Sequence, residues 1–350
     1  MRAVQVVRHG RPTEAVEIRD IALPDAGPGA VRIAVSAASL NFGDIARCRG
    51  GIASVMKPPP FTLGMDVCGV VDAAGPGAEG WLGRRVVAIT TMALGGIAEA
   101  AVAQAHSVFD APPELDDVEA AAFTLPFHVA HLALHKRARL VAAETLMVLG
   151  GASAVGTAAI QLGVAAGADV IAVAGGDKGS MCAQLGASIV IDSTTDDIFD
   201  RVMTHTDGRG AEVVFDLVGG ELVETVWTCV AREGRYLPIG FNDDPQSGMT
   251  GRPLRKVATG NFSILGVLLS YNEVPIQIRR AGLNPFPPAT GIVVHAALRD
   301  LVSRGAIRPV VGRRIRMEDV GSALEDHEQR RTTGRTVVDV SAGLSPRSPS

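Results

Sequence analysis

The sequence predicts an α/β protein of two domains, one β-rich and irregular, the other a doubly wound parallel sheet flanked by helices. Three observations carry this. Near Asp116 the texture changes from short β segments broken by Gly and Pro to regular alternation of strand-like and helix-like stretches. Strands separated by helices of that length imply parallel pairing. Between Glu144 and Val173 the chain reads strand, small-residue turn, Ala-rich helix, strand. Its 350 residues exceed one typical domain, and two is the natural division.

The alternation MRAVQVV predicts a strand from the first residue and leaves no room for a signal peptide. Short strands follow at Val31–Ser36, Val67–Val71, Arg85–Ile89 and Glu99–Val102, punctuated by Gly27-Pro28-Gly29 and Pro58-Pro59-Pro60. A helix is predicted over 118–140. Then come strand 145–149, helix 155–166, strand 170–173, helix 178–185 and strand 189–192. Helix 196–205, strand 213–216, helix 220–231, strand 235–239 and a closing strand 262–268 continue the pattern. The segment Asn284-Pro285-Phe286-Pro287-Pro288 breaks it, as a rim over a substrate site or as an inert surface insertion. Helix 290–304, strand 313–316, helix 318–331 and strand 335–339 return the chain to the first domain. The tail lacks apolar residues for packing and is expected to be disordered. The expected division is 1–117, 118–283, 284–340 and the tail 341–350.

Apolar residues make up 47% of the chain and aromatics only 4%, so Ala, Val, Leu and Ile must build the core. A net charge of −4, spread along the sequence, gives no electrostatic case for nucleic acid or an anionic membrane. No apolar stretch is long enough to span a bilayer without charges. Cys48, Cys68, Cys182 and Cys229 never fall at C-x-x-C spacing, which fits a reduced, cytoplasmic protein without a disulfide framework or structural zinc lobe.

The turn after the strand 145–149 points to a dinucleotide. Gly151, Ala152, Ser153, Ala154, Val155 and Gly156 are small enough for a pyrophosphate to approach the backbone, where helix N–H groups and the positive dipole end bind anions. Ser153 replaces the central glycine of the usual G-x-G-x-x-G and can donate a hydrogen bond to phosphate. The competing reading is an ordinary crossover without nucleotide. The second strand ends Val173-Ala174-Gly175-Gly176 with no acid at its tip; Asp177 is set back, just before Lys178. NADPH is therefore expected over NADH, with Gly175 close to the ribose and Lys178 pairing a 2′-phosphate rather than merely opening a helix in solvent. His128, His131 and His135 share a helical face, yet nothing adjacent supplies a carboxylate partner, so packing is preferred to metal binding.

Further along, the pieces Ala38-Ser39-Leu40-Asn41-Phe42-Gly43-Asp44, Leu63-Gly64-Met65-Asp66-Val67, Gly95-Gly96-Ile97-Ala98-Glu99, GGASAVGTAAIQLG, Asp216-Leu217-Val218-Gly219-Gly220, Gly234-Arg235-Tyr236 and Gly334-Arg335-Thr336-Val337-Val338 occur in this order. Together they resemble the medium-chain dehydrogenases/reductases of the zinc-free, quinone oxidoreductase (zeta-crystallin-like) branch, from Met1 to about Val340. The resemblance implies a GroES-like β domain built from both chain ends, an inserted Rossmann domain, a nicotinamide coenzyme in the cleft and a homodimer formed through the edge strand 262–268.

In zinc-dependent relatives a Cys and a Gly-His-Glu supply ligands where this chain has Asn41 and Gly64-Met65-Asp66, so no tetrahedral N/S site assembles there. Hydride transfer without a Lewis acid needs a quinone or α,β-unsaturated carbonyl, whose developing oxyanion takes hydrogen bonds. The resemblance makes Asn41 the donor beside the nicotinamide and Asp44 the residue holding its loop. It places Ser193 where relatives carry an adenosine-stacking Tyr; Val218-Gly219 and Gly240-Phe241, at the carboxyl ends of strands four and five, should line the coenzyme because open α/β sheets bind ligands there. The family tyrosine after Asp44 is replaced by Ala46, leaving water, the ribose hydroxyl, Cys48 or His128 to deliver the proton. Asn261 is read as supporting the nicotinamide or as an ordinary turn residue. The alternatives are an enoyl-thioester reductase of lipid or polyketide synthesis and a catalytically silent nucleotide-binding protein.

Overall fold

A computed structural model describes residues 1–51, 58–239, 255–273, 276–280 and 282–341; the expected tail beyond 341 lies outside them. The chain forms two compact units. One comprises Met1–Leu125, Tyr271–Ser303 and Arg308–Ser350, the other Pro126–Ser270 with Arg304–Ile307.

The first unit opens with strands β1 (Arg2–Val6), β2 (Val16–Asp20), β3 (Ala30–Ser39), β4 (Phe61–Thr62), β5 (Asp66–Ala74), β6 (Arg85–Ile89), β7 (Ala100–Gln104) and β8 (Val108–Asp110). The second holds β9 (Thr145–Leu149), β10 (Asp169–Ala174), β11 (Ile189–Asp192), β12 (Ala211–Asp216), β13 (Val230–Pro238) and β14 (Ser263–Ile264). Strands β15 (Val311–Ile315) and β16 (Arg335–Asp339) belong to the first unit again.

In the first unit β2-β1-β4 make a small sheet, and the larger one runs β15-β16-β3-β5-β6-β8, with β7 also paired to β3. Long β3 alternates Val31, Ile33 and Val35 into a core with Val67, Val71, Val86 and Leu324, as a half-buried sheet requires. In the second unit the order is β11-β10-β9-β12-β13-β14, all parallel. This is strand order 3-2-1-4-5-6, the arrangement that binds dinucleotides where the order reverses. All five residues of β9 are buried, as expected of a central strand covered on both faces. This is a GroES-like β domain joined to a Rossmann-type parallel sheet.

Four predicted elements differ most. The helix over 118–140 is instead a helix Asp117–Ala121, a second Thr124–His131, and a π-helical stretch Leu132–Arg137. Pro126 is the cause. At the third position of the second helix its missing N–H costs nothing, whereas a continuous helix would set its ring against the Ala122 carbonyl. The edge strand expected over 262–268 is only Ser263–Ile264, because its neighbour β13 ends at Pro238, which has no N–H for the ladder. The helix expected to reach 231 stops at Thr228, and β13 begins at Val230, five residues early, through an irregular register and a left-handed Glu233.

Candidate functional site

The carboxyl edge of the parallel sheet gathers the turns that follow four consecutive strands in space. After β9 the chain turns through Gly150 at φ 71° into the helix Ala154–Ala165. Ser153 is its N-cap: the hydroxyl accepts from the Gly156 N–H at 3.2 Å and keeps its own proton for a ligand. Among the described residues the N–H groups of Ala152, Ala154 and Val155 have no acceptor, and Ser153 is exposed. Those orphan donors at a positive helix end are what a pyrophosphate requires. The helix packs hard against the turn. A Cβ on Gly156 would stand 2.2 Å from the Gly150 carbonyl oxygen, so only glycine fits. The turn therefore fits a dinucleotide.

After β10, Gly175 and Gly176 lead into Lys178, which is half-buried. Ser193, exposed after β11, comes close: a Cβ on Gly175 would lie 3.5 Å from its Oγ. After β12, Asp216 is fully buried. Its Oδ1 accepts from the N–H groups of Val218 (2.8 Å) and Gly219 (3.0 Å), and its Oδ2 from the Tyr236 hydroxyl (2.6 Å). Gly219, at φ 62° and ψ −143°, holds a conformation open essentially to glycine alone. The expected contacts Gly240 and Phe241 lie outside the described residues.

The first unit carries Asn41 and Asp44 in a buried polar network. Asn41 precedes the helix Phe42–Arg49; its backbone N–H donates to Asp44 Oδ2 at 2.9 Å, and Arg47 donates to Asp44 Oδ1 at 2.8 Å. Asn41 is 5% exposed and its amide is occupied at both ends: Nδ2 donates to Asp66 Oδ2 at 3.1 Å, and Oδ1 accepts from Arg335 Nη2 at 2.8 Å. Arg335 also pairs with Asp66. Two carboxylates and two guanidiniums thus neutralise each other away from water. Burial pushes the Asp66 carboxyl up to about 6 against the pull of Arg335 and Asn41, and lowers Arg335. A divalent cation between positions 41 and 66 would meet the fixed charge of Arg335. Among the described residues no group of three or more His, Cys, Asp or Glu is arranged to hold a metal.

The other expected proton donors are poorly suited. Cys48 is fully buried, and burial pushes its thiol up to about 12. His128 is also fully buried. Tyr236 is committed to Asp216, while Tyr271, 4% exposed, lies edge-on to Phe109 with its hydroxyl raised by burial. Asn261 is a left-handed residue at the end of the helix Arg255–Gly260, its carbonyl accepting from Glu233 N–H: a turn residue. Phe286, in the Pro-rich segment, accepts from Asn272 N–H, and Pro288 opens the helix Pro288–Ser303. His131 and His135 lie 4.7 Å apart between ring centroids, and burial lowers both. Sequence reasoning missed the roles of Asp216, Tyr236 and Arg335, although all three lie within the motif pieces that carried the resemblance.

The sheet order and the turn 150–156 define a dinucleotide-binding fold of the Rossmann type. Residues 27–113 match the alcohol dehydrogenase GroES-like domain and 154–281 the zinc-binding dehydrogenase domain. The chain is 29% identical to human quinone oxidoreductase over 93% of each. Among solved structures, an NAD-dependent alcohol dehydrogenase is 30% identical (97% of this chain, 100% of the other, TM-score 0.82). A mycobacterial protein complexed with NADPH is 26% identical (97% and 100%, TM-score 0.84). Over 75% of the chain it is also 32% identical to 13% of the phthioceranic/hydroxyphthioceranic acid synthase of Mycobacterium tuberculosis. The chain belongs to the medium-chain dehydrogenase/reductase family, in its quinone oxidoreductase branch.

Proposed function

We propose that the protein is an NADPH-dependent reductase of quinones or α,β-unsaturated carbonyl compounds, working without a metal. The observation that carries this reading is the turn 150–156, whose unpaired N–H groups and Ser153 hydroxyl suit a pyrophosphate. The bound coenzyme supplies a hydride. With Arg335 filling the space between Asn41 and Asp66, the acceptor must spread its own negative charge, as a quinone or enone does. Gly151, Ala152, Ser153, Ala154, Val155 and Gly156 cradle phosphate. Gly175, Lys178 and Ser193 face the adenosine ribose, where Lys178 favours a 2′-phosphate, and Val218 lines the ring end.

Asn41 and Asp44 act by holding the loop that meets the substrate, since the amide of Asn41 is already bonded at both ends. Solvent delivers the proton. A cytoplasmic setting and a homodimer belong to the same proposal; four buried, unpaired cysteines suit a reducing compartment.

Oxidation of NADPH on adding a small quinone, an enone or an enoyl-CoA is the test. Turnover with the first two is expected. Turnover with the thioester alone would favour the enoyl-thioester reading, which the match to the mycobacterial synthase supports. No oxidation with any acceptor, alongside normal coenzyme binding, would leave the silent nucleotide-binding reading.

A further inference from the structure

The tip of β10 carries no acid, but its neighbour supplies one. Ala174, the last residue of β10, is in register with Asp192, the last of β11, so the Asp192 backbone stands one strand spacing from the position where NAD-binding sheets place their ribose carboxylate. The side chain leans across the gap. Asp192 Oδ1 accepts from the Gly176 N–H at 3.0 Å, the Thr194 N–H at 2.9 Å and the Thr194 hydroxyl at 2.7 Å. These three donors fix the carboxylate against the Gly175–Gly176 turn. They also hold it ionised, Thr194 first among them. The Asp192 N–H in turn donates to Asp196 at 2.9 Å, closing the loop after β11, and the bond from Gly176 ties that loop to the one after β10. Asp177 and Lys178 belong to the loop after β10 and Asp196 to the one after β11.

We propose that Asp192 sets the coenzyme preference of this site: its carboxylate accepts from the 2′-hydroxyl of the adenosine ribose and opposes the 2′-phosphate that Lys178 attracts, so that NADH is used beside NADPH. The inference rests on the coenzyme reading above and deepens it. Oδ1 of the carboxylate takes three protein donors, and the Thr195 hydroxyl stands beside the same group; the lone pairs of Oδ2 are the acceptors offered to the ribose. A charge-assisted bond to a hydroxyl and repulsion of a phosphate dianion act in the same direction.

The test is the dissociation constant of each coenzyme, measured by calorimetric titration of the full chain and of Asp192→Asn, which keeps an acceptor for Gly176 while removing the charge. Wild type should bind both coenzymes within about tenfold of each other. In D192N the NADPH-to-NADH affinity ratio should rise roughly tenfold, NADPH tightening while NADH weakens. Asp192→Ser, with a smaller acceptor, should move the ratio the same way and guards against one variant folding poorly. If both coenzymes bind and neither variant changes the ratio, or if both affinities fall alike, Asp192 only braces the loops and the proposal is overturned. If wild type binds neither coenzyme, the coenzyme reading itself fails, and this inference with it.

Discussion

Arg335 shows what one residue can decide. Its guanidinium is almost fully buried and satisfies Asn41 and Asp66 together. Replacing it by Met would leave a buried carboxyl without its counter-charge, which costs about 3–5 kcal/mol. Urea denaturation should show that loss in Arg335→Met, and Asp66→Asn in the same chain should recover part of it. At the turn, Ser153→Ala removes a cap and should lower stability by about 1 kcal/mol. Gly156→Ala forces a methyl onto the Gly150 carbonyl and should cost roughly 1–3 kcal/mol. Calorimetry should find coenzyme binding much more impaired in G156A than in S153A. The small residues of this turn were legible because their chemistry is local. Arg335 was not, because its partners are chosen by the register of β16 against β3 and stand at sequence separations of 294 and 269.

Elements were legible where a single pattern governs them. The strands 145–149 and 189–192 fall where alternation placed them, since each is a short apolar run bounded by turn residues. The segment 118–140 misled because its apolar periodicity runs through Pro126, and periodicity says nothing about a clash with a carbonyl four residues back. The turn after β12 shows an element held from below. Asp216 pulls two N–H groups inward while Tyr236 secures its other oxygen, so the loop shape depends on a phenol twenty residues on. Tyr236→Phe leaves one buried oxygen without its donor and should cost roughly 1–2 kcal/mol by thermal or urea unfolding. The spacing of the two residues held no sign of this; only parallel pairing of β12 with β13 brings Asp216 level with Pro238 and Tyr236 within reach.

At the scale of the whole molecule, acid should be the weak side of the stability profile. His295 is 5% exposed, stacked on Phe109 and bonded to the Asp110 carbonyl, and burial lowers it to about 4, as it does His131 and His327. In the unfolded chain these rings titrate near 6.5. Their contribution is therefore complete above about 6.5 and is lost as pH falls through about 4. Asp66 works the other way: raised to about 6, it favours the fold most below its unfolded value near 3.8 and loses that benefit as pH rises through 6. Three histidines outweigh one carboxyl, so urea midpoints should drop between pH 6.5 and 4. His295→Gln should flatten that slope by on the order of 2 kcal/mol. Among the described residues no helix is long and apolar enough to cross a membrane.

The place of β16 in the larger sheet bears on how the chain comes off the ribosome. Strand β16 lies between β15 and β3, so that sheet has an open seam until residues 311–339 have been made. Until then the nascent N-terminal segment holds Asp66 without the cation that answers it, while the parallel sheet already has all its strands. The later-encoded domain should thus mature first, and the earlier one is completed only when its last strand has been made.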